Sequence, residues 1–199
     1  MPKHFDDDII EFLKRPENLP IALEIGHYAS ELHDRFSSDF WSRLRAKLLA
    51  EKPPAFGNTE LVVDRIGSTG WRGWSFMPKS RSGQAQALGF GVEWETLQDS
   101  HDIYVGLRWK IPVPKKDKQY SHSVLADLRA LMMRDGYEAW EPWWICGRYV
   151  LNYQNPDAFL IAYNNDAASI ETAISTAFWK MATGYKISVD QINTGLSKK

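Results

Sequence analysis

Apolar residues along the first quarter of the chain return at helical steps. Ile21, Ile25, Tyr28, Leu32, Phe36, Phe40, Leu44 and Leu48 recur every three or four positions, which lays them along one face of a helix. Ser37-Ser38-Asp39 offers a cap for a second helix, so the stretch reads as one long helix or as two with a bend. Lys52-Pro53-Pro54 ends it. Such a stripe needs an apolar partner, either the chain's own sheet or a second copy of the chain. Ahead of it, Asp6, Asp7 and Asp8 precede Ile9-Ile10-Glu11-Phe12-Leu13, and acids in a first helical turn suit the helix dipole. Neighbouring positions on a helix point in different directions, which disfavours the three aspartates as a metal site. Pro16 and Pro20 bracket a turn.

From Glu60 the period changes to two. Leu61 to Ile66 reads as a strand, Gly67-Ser68-Thr69-Gly70 as a turn, and Trp71 to Phe76 as the returning strand. Pro78 to Gln84 is polar and reads as an exposed loop. In Leu88 to Glu95 every even position is large and apolar, and in Ile103 to Ile111 every odd position is. A hairpin loop at Leu97 to Ser100 then pairs Thr96 with His101, Trp94 with Ile103, Val92 with Val105 and Phe90 with Leu107, and both apolar sets share one face. The opposite face gathers Gly89, Gly91 and Gly106, ringed by Glu93, Tyr104 and Arg108.

Beyond a charged linker, Pro112 to Gln119 with Lys115, Lys116 and Lys118, Ser121 or Ser123 caps a helix striped by Val124, Leu125, Leu128, Leu131 and Met132. Ile145 to Leu151 reads as a further strand. Asp166 or Ser169 caps a helix that turns Ile170, Ala173, Ile174, Ala177, Phe178 and Met181 inward, and Gly184 stands where a helix stop belongs. Ser188-Val189-Asp190-Gln191 is a capping box for a short last helix. The order implies an α+β fold, an antiparallel β-meander packed against N-terminal and C-terminal helices. A single domain over 1–199 is expected, with a helical part at 1–52, a sheet with one inserted helix at 60–151, and C-terminal helices at 166–196.

Composition narrows the function classes. The 199 residues carry 24 Lys and Arg against 25 Asp and Glu, a net charge of -1, whereas a surface built to coat nucleic acid is normally strongly basic. The N-terminus runs into acids rather than the apolar stretch of a signal peptide, and no apolar run approaches the ~20 residues of a membrane span. Cys146 is the one cysteine, so neither an internal disulfide nor a multi-cysteine zinc site can form, and in Trp143-Trp144-Ile145-Cys146 it reads as a buried small hydrophobe. A reducing, cytoplasmic setting without a membrane partner fits these features.

Few residues offer chemistry. Neither a phosphate-binding loop nor a dinucleotide fingerprint occurs, and no serine stands in a nucleophile elbow. His27 and His33 are six apart and face nearly opposite ways on a helix. No metal or cofactor site is therefore expected. The strand glycines weaken a sheet and need a reason: a helix packed closely over them, or a shallow ligand floor walled by Tyr104 and Arg108. Tryptophans are the abundant asset, nine in all. Trp71, Arg72 and Trp74 interleave with Phe76, Lys79 and Arg81 as single-strand stacking platforms do, but the lack of basic excess makes nucleic acid the less favoured partner. In Trp140-Glu141-Pro142-Trp143-Trp144 three indoles stand so close that they seldom all fit inside a core, so a partly exposed aromatic surface of the kind enriched at protein interfaces is expected.

Ser38-Asp39-Phe40-Trp41-Ser42-Arg43-Leu44, then Gly89-Phe90-Gly91-Val92-Glu93-Trp94 and Tyr104-Val105-Gly106-Leu107-Arg108-Trp109, resemble in order the region beyond the catalytic core of bacterial and phage-associated PD-(D/E)XK family nucleases. The likeness spans about residues 20–150 and lacks the acidic-x-Lys triplet, because Glu95 stands where Lys belongs in Glu93-Trp94-Glu95. It implies a freestanding accessory or recognition domain and carries over no catalytic residue. The favoured reading is a non-catalytic intracellular protein-binding module, a regulator or inhibitor in a bacterial or phage defence or conflict system. Its anchors are Trp71, Arg72, Trp74, Trp140, Trp143 and Trp144, and its 21–48 helical stripe supports a homodimer. The alternative is a metal-dependent nuclease in which Asp64, Glu93 and Glu95 hold Mg²⁺ and Lys110 stabilises charge.

Overall fold

The computed structural model describes residues 3–66, 71–79, 86–97, 100–111, 123–140, 143–153 and 156–196. The expected turn at Gly67 to Gly70, the tip of the central hairpin, most of the loop after Pro78 and the lysine-bearing linker lie outside these residues. Elements follow the order α1 (Lys3–Leu13), α2 (Leu19–Ala50), β1 (Thr59–Ile66), β2 (Trp71–Pro78), β3 (Leu88–Leu97), β4 (Ser100–Trp109), α3 (Ser123–Arg134), β5 (Trp144–Tyr153) and α4 (Pro156–Leu196). This is an α+β fold with helices at both chain ends and a five-stranded antiparallel sheet of order β1-β2-β3-β4-β5. The chain divides into two compact units, Met1–Arg43 and Leu44–Lys199.

In the first unit, α1 reaches α2 through a tight connection. Asn18 donates from its amide to the Phe12 carbonyl at 2.9 Å, and its own carbonyl accepts the first helical bond of α2 from Ala22. α2 runs as one helix, so no second helix begins at Ser37-Ser38-Asp39. Asp39 instead lies 3.9 Å from Arg43 across one helical turn. Burial along α2 changes abruptly: Ile21, Ile25, Tyr28 and Leu32 are exposed, whereas Phe40, Trp41, Leu44 and Leu48 are buried.

The second unit is built on the sheet. Its central hairpin adopts the register that alternation demands, with Thr96 opposite His101, Trp94 opposite Ile103, Val92 opposite Val105 and Phe90 opposite Leu107. Because side chains alternate between faces, Phe76, Phe90, Val92, Trp94, Ile103, Val105, Leu107 and Cys146 line one side. α4 covers that side. Trp94 packs on Phe159 at 4.9 Å between ring centroids, and Phe76 packs on Phe178 at 5.5 Å and Trp179 at 5.0 Å. Phe56, on a single 3-10 turn over Pro54–Phe56, closes the cluster against Trp179 at 5.1 Å.

α4 departs from the sequence reading in three ways. It begins at Pro156, ten residues before the expected cap, and its backbone leaves helical geometry at Asp166. The cap itself is present: the Asp166 carboxylate accepts the Ser169 N–H at 3.0 Å, and hydrogen bonding from the Ser169 hydroxyl, together with that N–H, holds its pKa below the usual value. The early segment is held because Phe159 and Tyr163 are buried and the Tyr163 hydroxyl donates to Glu171 beyond the bend at 2.9 Å. Nor does the helix stop at Gly184 or restart at Ser188, for it continues to Leu196. Tyr185, Val189 and Ile192 are buried past that glycine, and the Asn193 amide both donates to and accepts from the Leu88 backbone, at 2.9 and 2.8 Å. Packing of this kind outweighs the ~1 kcal/mol that a helical glycine costs.

Candidate functional site

The side of the sheet away from α4 carries a row of minimal side chains across four strands. Ser75 of β2 stands opposite Gly91 of β3, Gly91 opposite Gly106 of β4, and Gly106 opposite Gly147 of β5. Neither a helix nor an open floor explains the glycines. Indoles of the same chain lie in the trough instead. A Cβ at Gly91 would meet Trp144 Cη2 at 2.7 Å, and one at Gly147 would collide with the six-membered ring of Trp140. At Gly106 the Cys146 carbonyl also bars any side chain. A register shift between Leu107 and Arg108 puts one extra residue into β5 beside Trp144, and bulges of this kind re-aim side chains.

Around the trough the aromatic rings interlock. Tyr104 meets Trp140, Trp144 and Tyr149 edge to face, with centroids 5.1, 5.0 and 5.8 Å away. The Arg108 guanidinium carbon lies 5.5 Å from the rings of both Trp143 and Trp144. Arg108 Nη1 also lies 3.9 Å from Glu93 Oε2, and both side chains are at most 2% exposed. Arginine is suited to this place because its flat guanidinium stacks on rings while its charge faces a carboxylate. Glu93 and Arg108 thus answer each other's charge beneath an aromatic cover, away from any dissolved substrate.

The strand register places the residues of the nuclease alternative. Asp64 stands opposite Gly73, which stands opposite Glu93, so the two acids belong to one line across β1, β2 and β3. The Asp64 and Glu95 side chains lie outside the described residues. Lys110 follows β4, and its N–H donates to the Ala87 carbonyl. It sits six residues from Tyr104, the partner of Glu93, a separation of roughly 20 Å along a strand. Among the described residues no three His, Cys, Asp or Glu gather as metal ligands would.

The tryptophan anchors separate onto opposite sides of the sheet. Trp74 pairs with Val92, on the side α4 covers, where Arg45 lies 5.4 Å from its ring. Trp140 and Trp144 pack on the glycine side, Trp144 buried and Trp140 partly exposed. Trp143 is likewise partly exposed, and the Trp71 and Arg72 side chains lie outside the described residues. Cys146 is fully buried on the α4 side, where burial pushes its thiol up to about 11.

The largest run of exposed apolar side chains lies elsewhere, in the first unit. Phe12, Ile21, Leu23, Ile25, Tyr28 and Leu32 are each more than half exposed, and Ile9, Ile10 and Leu19 are not far below. The sequence stripe points at four of these, but periodicity alone does not show which half of it finds cover. Residues 19–34 also hold Glu24, Glu31 and Asp34 and no Lys or Arg. Among the described residues no helix is long and apolar enough to cross a membrane.

No family model matches the chain, and comparisons with curated proteins and with solved structures give no match.

Proposed function

We propose that the chain is a non-catalytic protein-binding module whose contact surface is the N-terminal helical arm, above all the exposed stripe of α2. One observation carries this reading: four large apolar side chains on one face of α2, Ile21, Ile25, Tyr28 and Leu32, are each more than half exposed. Contiguous apolar surface of that kind, rimmed by charge, is the usual mark of a docking site. The partly exposed Trp140, Trp143 and Tyr149 offer a smaller second contact. The likeness to the accessory region of PD-(D/E)XK nucleases supports a regulator or inhibitor acting inside bacterial or phage-infected cells.

The nuclease reading is disfavoured because the acid it needs most, Glu93, is buried and lies 3.9 Å from Arg108. A cation so close competes for the charge that a metal would need.

Quantitative affinity capture from the native host tests the proposal. The tagged chain is compared with a variant carrying Ile21→Asp, Ile25→Asp and Leu32→Asp, matched by circular dichroism. Proteins retained by the natural chain and lost from the variant support the arm as the contact surface. An identical set from both contradicts it. A parallel Mg²⁺ or Mn²⁺ cleavage assay with Glu93→Ala as control is expected to show no cleavage above the control, and metal-dependent cleavage abolished by that substitution would reverse the choice.

A further inference from the structure

From the exposed stripe of α2 we infer that its occupant is a second copy of the same helix, in a parallel two-stranded coil; this rests on the arm being a contact surface. Ile21 and Tyr28 are seven residues apart, as are Ile25 and Leu32, and all four are more than half exposed. This interleaved spacing of four and three is the core repeat of a coiled coil, in which each side chain fits between four of an equivalent helix. A second copy of this chain carries the same repeat and so fits that geometry. The exposed large apolar residues of the second unit, Leu49, Ile111, Met133, Tyr149, Ile161 and Ile187, are scattered over several elements and offer no such row.

The flanks of the stripe select the orientation. On one side stand Glu24 and Glu31, again seven apart, and on the other Ala22 and Ala29. In a parallel pair the two unlike flanks meet, so Glu24 of one helix comes beside Ala29 of the second copy. The small alanines let the helices approach and leave the carboxylates at the rim. In an antiparallel pair like flanks meet, Glu24 beside Glu31 with no Lys or Arg between Leu19 and Asp34 to offset the repulsion. Charge thus favours the parallel arrangement.

Sedimentation equilibrium of the full chain, followed by cysteine cross-linking, tests this. The natural cysteine, Cys146, is fully buried and leaves a silent background. The expected result is a mass approaching twice 22.9 kDa at high concentration. Ile25→Asp with Leu32→Asp is expected to weaken association about a hundredfold. Mild oxidation is expected to link Ile21→Cys to itself and, in a separate protein, Leu32→Cys to itself, since a parallel coil brings every core position opposite its own copy. A monomer mass at every concentration, or association that the double substitution leaves unchanged, overturns the coil. Self-linking of Tyr28→Cys without either flanking variant overturns the parallel orientation. A monomer alongside stripe-dependent capture of host proteins removes this inference and leaves the protein-binding reading standing.

Discussion

Trp144 occupies the side-chain space that Gly91, two strands away, leaves empty: a Cβ on Gly91 would lie 2.7 Å from Cη2 of the indole. The glycine is therefore a seat, and the sheet accepts a weaker strand there in return for a buried aromatic cluster. Gly91→Ala is expected to cost about 1–3 kcal/mol, as overpacking of a filled site does. Urea unfolding measures it, with Gly195→Ala, where a Cβ would meet nothing within 4 Å, as the control. An unchanged midpoint for Gly91→Ala would mean that the indole is not held against the strand.

The Glu93–Arg108 pair gives a second prediction. Removing one member of a buried pair withdraws a counter-charge from the other, and breaking such pairs typically costs about 3–5 kcal/mol, whereas replacing both with apolar groups is close to neutral. Arg108→Met alone is expected to fall in that range, and Arg108→Met with Glu93→Met to recover most of the loss. Chemical denaturation of the two variants decides it. A double variant no more stable than Arg108→Met would show that the carboxylate and guanidinium are not coupled.

Cys146 links burial to pH. Its thiol is pushed up to about 11 in the folded chain, against about 8.5 for a free thiol. The raised value means that the folded state keeps its proton while the unfolded chain gives it up. Its contribution to stability is therefore complete below about pH 8.5 and fades as the pH climbs toward 11. The slope of stability against pH in that window is expected to be shallower in Cys146→Ala. The native thiol is also expected to resist iodoacetamide at about pH 8 and to react once urea unfolds the chain. Rapid native labelling would contradict its burial.

Gly184 lies inside α4 with nothing within 4 Å of a Cβ placed there, so Gly184→Ala is expected to stabilise the protein by about 1 kcal/mol and raise its melting temperature. A lowered melting temperature would show that the glycine answers a local need.

The same glycine marks the limit of what local sequence can say. The pairing of Phe90 with Leu107 and Trp94 with Ile103 is legible because a period of two leaves one register that buries both apolar sets. Gly184 reads as a stop because the local signal is real, and the packing of Tyr185, Val189 and Ile192 that overrides it depends on contacts outside any local window. The start of α4 is hidden for a related reason. Pro156 and the run Asn164-Asn165-Asp166 both read as turn punctuation, and only the burial of Phe159 and Tyr163 between them reveals a helix.

The aromatic cover of the glycine trough is only half visible in the sequence. Gly91 and Gly106 stand out within their strands, but the partner that fills them, Trp144, reaches them through a register shift in β5 that no alternation pattern announces. The α2 stripe is legible as a face and not as a division, since Ile25 and Leu44 look alike in sequence while one is exposed and the other buried.

The claim that the α2 stripe is a contact surface is tested most directly by photo-cross-linking in the native host, with a photoreactive phenylalanine analogue placed at Ile25. Ile161, equally exposed but on α4, serves as the control position. The expected result is a discrete adduct, to a second copy or to another protein, from Ile25 and not from Ile161. No adduct from Ile25, or the same adducts from both positions, would contradict it.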